Sequence, residues 1–120
     1  MYKEEILDHY KRPRNTGKLE TDMEAEGENA SCGDTVHIYV ESEGGYIEEI
    51  KHQTEGCAIS TAAASIASQT LKGMDTEEVE DLPGEWMVEK LGTEISPMRR
   101  KCAVLALKAV QQALENETEQ

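Results

Sequence analysis

The stretch that most constrains the fold is residues 57–71, which contain no charged side chain although 31% of the chain is Asp, Glu, Lys or Arg. Ile59, Ala62 and Ile66 recur there at helical spacing, and Gly73 follows as a residue suited to end a helix. The many Ala and Ser side chains allow close approach to other backbone. The run therefore predicts a central helix, the most buried one of the fold.

A small antiparallel sheet is predicted on the N-terminal side of this helix. Residues 35–42 alternate between apolar and polar side chains, as in a strand with one buried face. Gly44-Gly45 is a hairpin signal, and residues 46–53 are the returning strand. A third strand is expected near residues 22–26.

Four further helices are predicted around this core. Residues 2–11 form the first, and the proline that follows prevents its simple continuation. Residues 76–81 and 86–91 form two short helices, with Pro-Gly between them. Ser and Pro at 96–97 open the last helix, and its polar end from Asn116 onward is expected to fray.

Length and charge narrow the class of protein. A chain of 120 residues without an internal linker predicts one α+β domain over residues 1–120. The formal charge of -13 argues against binding nucleic acid, which requires a basic surface. No run approaches the roughly 20 apolar residues that span a bilayer, and the charged N-terminus carries no apolar signal region. We therefore expect a soluble cytoplasmic protein without a membrane partner.

Cys32, Cys57 and Cys102 are the three cysteines of the chain. An odd number without a secretion signal predicts thiols rather than a disulfide framework. They form no CxxC pair, so any common site must be assembled by the tertiary fold. His9, His37 and His52 are isolated in the sequence, and we expect them to be structural or exposed rather than ligands.

Two of the cysteines lie in sequences that suit chemistry. In Cys32-Gly33-Asp34, residues two apart in an extended segment face the same side, so the thiol and the carboxylate can converge on one ion; a plain turn before a strand is the alternative. Cys57 opens the uncharged helix, where the positive end of the helix dipole favours a thiolate; a buried structural cysteine is the alternative.

Cys102 follows three cations, Arg99, Arg100 and Lys101, near the start of the last helix. On a helical projection the thiol lies at the edge of the core stripe, from which it can reach a neighbouring loop. Nearby cations favour a thiolate and can balance a thiolate-rich site. Docking of these cations to acidic residues of the same protein is the alternative. We expect the three thiols and Asp34 to share a solvent-reachable pocket.

Taken together, these segments resemble the U-type iron–sulfur scaffold family, which comprises IscU, SufU and the N-terminal domain of NifU. One short motif would be weak evidence, but several in this order and at this spacing are specific. The matching segments are Ile6-Leu7-Asp8-His9-Tyr10, Pro13-Arg14-Asn15-Thr16-Gly17, Gly27-Glu28-Asn29-Ala30-Ser31-Cys32-Gly33-Asp34, Glu55-Gly56-Cys57-Ala58-Ile59-Ser60 and Arg100-Lys101-Cys102-Ala103.

The resemblance implies a three-stranded antiparallel sheet with helices packed on one face. It also implies that a cysteine desulfurase delivers persulfide sulfur, that iron joins, and that a transient [2Fe-2S] cluster passes to apo-proteins. The residues matching the family ligands are Cys32, Asp34, Cys57 and Cys102, and Cys102 matches the usual persulfide acceptor. A homodimer bridged by a shared cluster is compatible with this picture.

The chain departs from both branches of the family. IscU proteins have a histidine immediately before the third cysteine, whereas this chain has Lys101 there and resembles SufU proteins at this position. SufU proteins, however, carry an insertion between the second and third cysteines, and this chain lacks it. The chaperone-binding Leu-Pro-Pro-Val-Lys of IscU is matched only loosely by residues 95–99. Two alternatives therefore stand beside the scaffold: a zinc-dependent sulfurtransferase of the SufU kind, and a structural zinc module.

Overall fold

The computed structural model describes residues 3–30 and 33–118. None of the helices within these residues combines the length and the apolar character needed to cross a membrane. Over this described part of the chain, three strands and five helices follow one another in the order α1 (Glu4–Lys11), β1 (Glu24–Asn29), β2 (Asp34–Glu43), β3 (Tyr46–Glu55), α2 (Ala58–Thr70), α3 (Thr76–Glu80), α4 (Gly84–Leu91) and α5 (Pro97–Thr118).

The strands form one antiparallel sheet in the order β1-β2-β3. Gly44 and Gly45 take positive φ at the β2–β3 hairpin, which confirms the turn predicted from the sequence. The alternation predicted for β2 is also present, because Val36, Ile38 and Val40 are buried on one face. Helices α2 and α5 pack against the sheet, so the predicted α+β fold is confirmed.

Helix α2 is the buried centre of the fold. Nine of its thirteen residues are buried, as the absence of charge predicted. The helix begins one residue after Cys57, which serves as its N-cap, and it ends at Thr70. Gly73 takes a φ of +89° in the turn that follows. The predicted helix and its burial are therefore confirmed, and Cys57 lies just before the first turn.

Most boundaries of the helices and strands lie within one or two residues of the sequence-based predictions, and the differences at β1, α4 and α5 are the informative ones. Strand β1 covers Glu24–Asn29 instead of residues 22–26, because its register is fixed by pairing with β2 rather than by its own glutamate-rich sequence. Helix α4 already begins at Gly84. Helix α5 continues to Thr118 instead of fraying from Asn116, whose side-chain amide donates a hydrogen bond to the carbonyl of Glu24 at 2.8 Å.

Residues 13–17, which follow α1, pair with the β3 edge of the sheet. Backbone hydrogen bonds join Gly17 N–H to the His52 carbonyl and His52 N–H to the Asn15 carbonyl, each at 3.0 Å. Asn15 accepts a positive φ of 59°, and the backbone N–H of Arg14 donates to Ser65 Oγ at 2.8 Å. Residues 13–17 therefore join the end of α1 to β3 and α2, which is a structural role.

Candidate metal centre

Three predicted site residues meet although they come from three separate elements. Asp34 is the first residue of β2, Cys57 immediately precedes α2, and Cys102 lies in the second turn of α5. One ligand atom from each lies within 4.8 Å of the other two. Cys32, the fourth predicted residue, lies outside the described residues.

The carboxylate of Asp34 is buried and held at both oxygens. Oδ1 accepts a hydrogen bond from the backbone N–H of Cys57 at 3.0 Å, and Oδ2 accepts one from the hydroxyl of Ser60 at 2.8 Å. Burial alone would raise the pKa of Asp34. The hydrogen bonds from Cys102, Ser60 and Cys57, together with the positive charge of Arg99, outweigh it and hold the pKa below its ordinary value. Asp34 is therefore an anion in a buried setting.

Gly56 makes the close approach of Asp34 and Cys57 possible. A Cβ atom at position 56 would lie 2.9 Å from Asp34 Cγ and nearer still to Oδ1. Any side chain there would push the carboxylate away from the N-terminus of α2. The glycine before the cysteine therefore has a packing role that belongs to the site itself.

Cys57 has the environment predicted for a thiol at a helix N-terminus. Burial and the nearby charge of Asp34 would raise its pKa. Hydrogen bonds from the backbone N–H and hydroxyl of Ser60, and from the backbone of Ile59, outweigh them, so the pKa of Cys57 lies below its ordinary value. The Ser60 hydroxyl lies 3.6 Å from Cys57 Sγ. The direction of this pKa shift agrees with what the sequence predicts for a thiol at a helix N-terminus, and the side chain is half-buried.

Cys102 is more deeply placed than its position on a helical projection predicts. It has no exposed surface, and Asp34 has none either, so of these three described residues Cys57 alone, which is half-buried, meets the expectation of a solvent-reachable pocket. The side-chain amide of Asn29, at the end of β1, donates to Cys102 Sγ at 3.5 Å. The thiol is buried because α5 packs across β1 and β2, a tertiary contact that a single-helix projection does not contain.

The three cations before Cys102 have different surroundings. Arg99 contributes to the low pKa of Asp34, as expected for a cation serving the site. Arg100 forms an ion pair with Glu85, as in the alternative interpretation that these cations dock to acidic residues of the same protein. The exposed Lys101 is one of the residues lining a surface groove of about 400 Å³, together with Gly84, Pro97, Arg100, Val104 and Lys108.

The histidines do not join this group. Within residues 3–30 and 33–118, the cluster with ligand spacing is formed by Asp34, Cys57 and Cys102. His9 and His52 are buried and hydrogen-bonded to Ser65 and to the Arg14 carbonyl, respectively. They are structural, as predicted. His37 stacks on the ring of Tyr39, with 4.6 Å between ring centroids.

The donor set fits a metal that prefers thiolate ligands. Two sulfurs and one carboxylate oxygen suit tetrahedral Zn²⁺ and the iron of Fe–S clusters. In a tetrahedral site with metal–sulfur distances of about 2.3 Å, neighbouring ligand atoms lie about 3.7 Å apart. Separations within 4.8 Å therefore require only a small contraction of side chains that are already together.

Sequence reasoning missed two residues that contact the site, Asn29 and Ser60. Ser60 lies three residues after the N-cap cysteine, where an N3 side chain turns back toward the N-cap, so its contact with Cys57 could have been found from spacing. Asn29 pairs with Asp34 in the β1–β2 register. Its contact with Cys102 depends on how α5 crosses the sheet, and no local signal predicts that.

The fold and the thiolate-rich group together define a small α+β metal-binding protein of the iron–sulfur assembly class. The chain belongs to the NifU-like N-terminal domain family, whose family model matches residues 1–119.

Relatives come from both named branches. The chain is 34% identical to the zinc-dependent sulfurtransferase SufU of Bacillus subtilis, covering 98% of this chain and 91% of that protein. It is 36% identical to the iron–sulfur cluster assembly scaffold protein IscU 1 of Archaeoglobus fulgidus, covering 95% of this chain and 74% of that protein. The alignment with SufU spans 134 positions, more than the 120 residues here, so SufU carries residues that this chain lacks.

Solved structures share the fold. A putative iron–sulfur cluster assembly scaffold protein for the SUF system from Fervidobacterium islandicum superimposes with a TM-score of 0.78 at 30% identity, covering 94% of this chain and 96% of that chain. A nitrogen-fixing NifU-like protein (N-terminal) from Brucella abortus gives a TM-score of 0.81 at 20% identity, covering 98% and 94%. The second similarity concerns the fold alone.

Proposed function

We propose that this chain is a scaffold on which iron and sulfur are assembled into a [2Fe-2S] cluster that then passes to apo-proteins. The observation that carries the proposal is the convergence of Asp34, Cys57 and Cys102 within 4.8 Å from three different elements. Cys32 is the fourth ligand in this proposal. The cluster is cargo, so the site must both hold it and release it.

The properties of the ligands suit temporary holding. Thiolates bind iron strongly, whereas a carboxylate is a harder and weaker partner for Fe–S chemistry. Asp34 already accepts hydrogen bonds at both oxygens, which reduces what it can give to a metal. It is therefore the ligand expected to exchange first when a client protein supplies a cysteine.

Sulfur enters, in this proposal, through Cys102. The thiolate attacks the outer sulfur of a persulfide on a cysteine desulfurase; a new S–S bond forms at Cys102, the old S–S bond breaks, and the desulfurase cysteine leaves as its thiolate. Because Cys102 has no exposed surface, the transfer requires that docking open the contacts that Cys102 makes with Asn29 and Asp34.

Anaerobic reconstitution tests the scaffold role. The protein is incubated with ferrous iron, cysteine and a cysteine desulfurase, and its absorption and iron and sulfide content are measured after desalting. We expect a [2Fe-2S] chromophore in the wild type and its loss in C57S and C102S. E28Q, a change at an exposed carboxylate of β1, is the control. A colourless wild-type product under these conditions would rule out the scaffold role.

A zinc-dependent sulfurtransferase is the second candidate, and the similarity to SufU favours it. The same ligands would hold Zn²⁺ until the desulfurase supplies a competing cysteine. Strong stimulation of desulfurase turnover by a zinc-loaded protein that never assembles a cluster would establish this function instead. A structural zinc module is distinguished by chelation, because removing a structural metal should unfold the domain.

A further inference from the structure

The hydroxyl of Ser60 donates a hydrogen bond to the carboxylate oxygen of Asp34 that lies beside the sulfur of Cys57. Oδ2 of Asp34 is the carboxylate oxygen recorded 3.9 Å from Cys57 Sγ, and it accepts the Ser60 hydroxyl at 2.8 Å. The other oxygen is held by the backbone N–H of Cys57. The hydroxyl and an incoming metal therefore compete for the same oxygen.

We propose that Ser60 is a positioning residue that makes Asp34 an exchangeable metal ligand. Its hydroxyl withdraws electron density from Oδ2 and ties the carboxylate to the first turn of α2. A metal ion that binds Asp34 must share or displace this hydrogen bond, so the ion leaves more readily than it would from an uncommitted carboxylate. The inference rests on the proposed role of Asp34 as a ligand.

The position of Ser60 in the fold supports a fixed role. It is buried, with 3% of its surface exposed, and it lies at the third position of α2, one turn from Cys57. Its hydroxyl reaches both Asp34 and the sulfur of Cys57. The backbone of α2 holds Ser60 beside both ligands, so its hydroxyl is available to Oδ2 of Asp34 whenever the site is folded.

Dissociation of Co²⁺ is the direct test, because Co²⁺ substitutes for zinc and its thiolate bands report occupancy without any cluster chemistry. The Co²⁺-loaded protein is mixed with excess chelator and the decay of absorption is followed. We expect S60A to release Co²⁺ about tenfold more slowly than wild type, the order expected for one hydrogen bond to a charged group. S60T, which keeps the hydroxyl, should behave as wild type.

A double-mutant cycle shows whether Ser60 acts through Asp34. In a D34A background, S60A should have a much smaller effect on Co²⁺ release, and the part that remains reports the contact of Ser60 with the sulfur of Cys57. If S60A does not fold, the isosteric pair S60T and S60V repeats the comparison with and without the hydroxyl. Release from S60A at the wild-type rate or faster overturns the inference, as does an equal effect in the D34A background. Failure of the wild type to bind Co²⁺ would instead contradict the metal site itself.

Discussion

The backbone N–H of Cys57 donates a hydrogen bond to Oδ1 of Asp34 at 3.0 Å, so the first residue of β2 and the N-cap of α2 are joined directly. This contact places a carboxylate at the positive end of a helix, where negative charge is favoured. It also holds β2 close to the start of α2, although β3 lies between these two elements in the sequence. Changes to Asp34 or to the neighbouring Gly56 should therefore alter both the fold and metal binding.

Replacing Asp34 by alanine should lengthen the life of a bound cluster. In the proposed scaffold the carboxylate is the weaker ligand and adds negative charge beside two sulfurs, so its loss would remove the exchangeable position and some repulsion. The measurement is the anaerobic transfer rate of a reconstituted cluster to an apo-ferredoxin, with E28A as the control. Faster loss of the cluster from D34A would contradict the role of an exchangeable ligand.

Replacing Gly56 by alanine should disrupt the same junction. The added Cβ would press on Asp34, and we expect a loss of about 1–3 kcal/mol in the free energy of unfolding, as in other overpacked sites. Co²⁺ affinity should fall as well. Urea denaturation and Co²⁺ titration measure the two effects.

Gly84→Ala is the matched control for the glycine change. A Cβ at position 84 would also be crowded, at 3.1 Å from Val104 Cγ1, but it lies at the start of α4 and contacts no predicted ligand. Co²⁺ affinity should therefore be unchanged in G84A. An equal loss in G56A and G84A would show that general destabilisation, and not displacement of Asp34, is responsible.

Neutralising Arg99 should make the carboxyl of Asp34 easier to protonate. The positive charge of Arg99 helps to lower the pKa of Asp34, so R99Q should raise that pKa and protonate the carboxyl at a higher pH. The midpoint of the Asp34 titration, followed by the carboxyl carbon shift in NMR on the metal-free protein, should rise by a fraction of a pH unit, since Arg99 is exposed and salt screens its charge.

Lys101→Gln provides the comparison for this charge effect. Lys101 lines the groove beside Val104, and its charge is not among those that shift the pKa of Asp34. The midpoint of K101Q should therefore stay at the wild-type value. Equal shifts in R99Q and K101Q would mean that net charge, rather than the place of Arg99, sets the response.

Acidification below pH 6.5 should destabilise the fold through His52. Burial lowers the pKa of this histidine, although its hydrogen bond to the Arg14 carbonyl partly opposes the shift. The unfolded chain therefore takes up a proton before the folded one, and stability is lost as pH falls from the ordinary histidine value toward the folded one. Urea denaturation across this range measures the loss.

His52→Gln should weaken that pH dependence. Glutamine can still donate a hydrogen bond toward the Arg14 carbonyl but does not titrate, so the decline in unfolding free energy with acid should be smaller than in wild type. His9, whose pKa is also lowered by burial and by Arg14, should account for part of what remains. An unchanged slope in H52Q would exclude His52 as the cause.

Local sequence patterns were sufficient for most of the fold. The charge-free run predicted α2, and the alternation and paired glycines predicted the β2–β3 hairpin, because each pattern reflects one element's own burial or turn geometry. Strand β1 was misplaced because its sequence has few residues that favour strands and its register comes from β2. The end of α5 was misjudged because Asn116 is held by a strand far away in sequence.

The candidate site divides in the same way. The spacing of Cys32 and Asp34 and the helix-opening place of Cys57 could be interpreted locally. The burial of Cys102 and its contact with Asn29, 73 residues away, depend on the packing of α5 over β1. Ser60 illustrates a signal that was present and unused, since its spacing from Cys57 placed it at the site.

The enclosure of Cys102 has a practical meaning for anyone who labels this protein. A maleimide or an oxidant in solution reaches Cys57 before Cys102, because Cys57 alone of these two thiols presents surface to water. Cys102 reacts only when α5 separates locally from the sheet, so its labelling rate measures how often this part of the fold opens. A partner protein that accelerates the labelling of Cys102 is therefore one that opens the contact between α5 and the sheet.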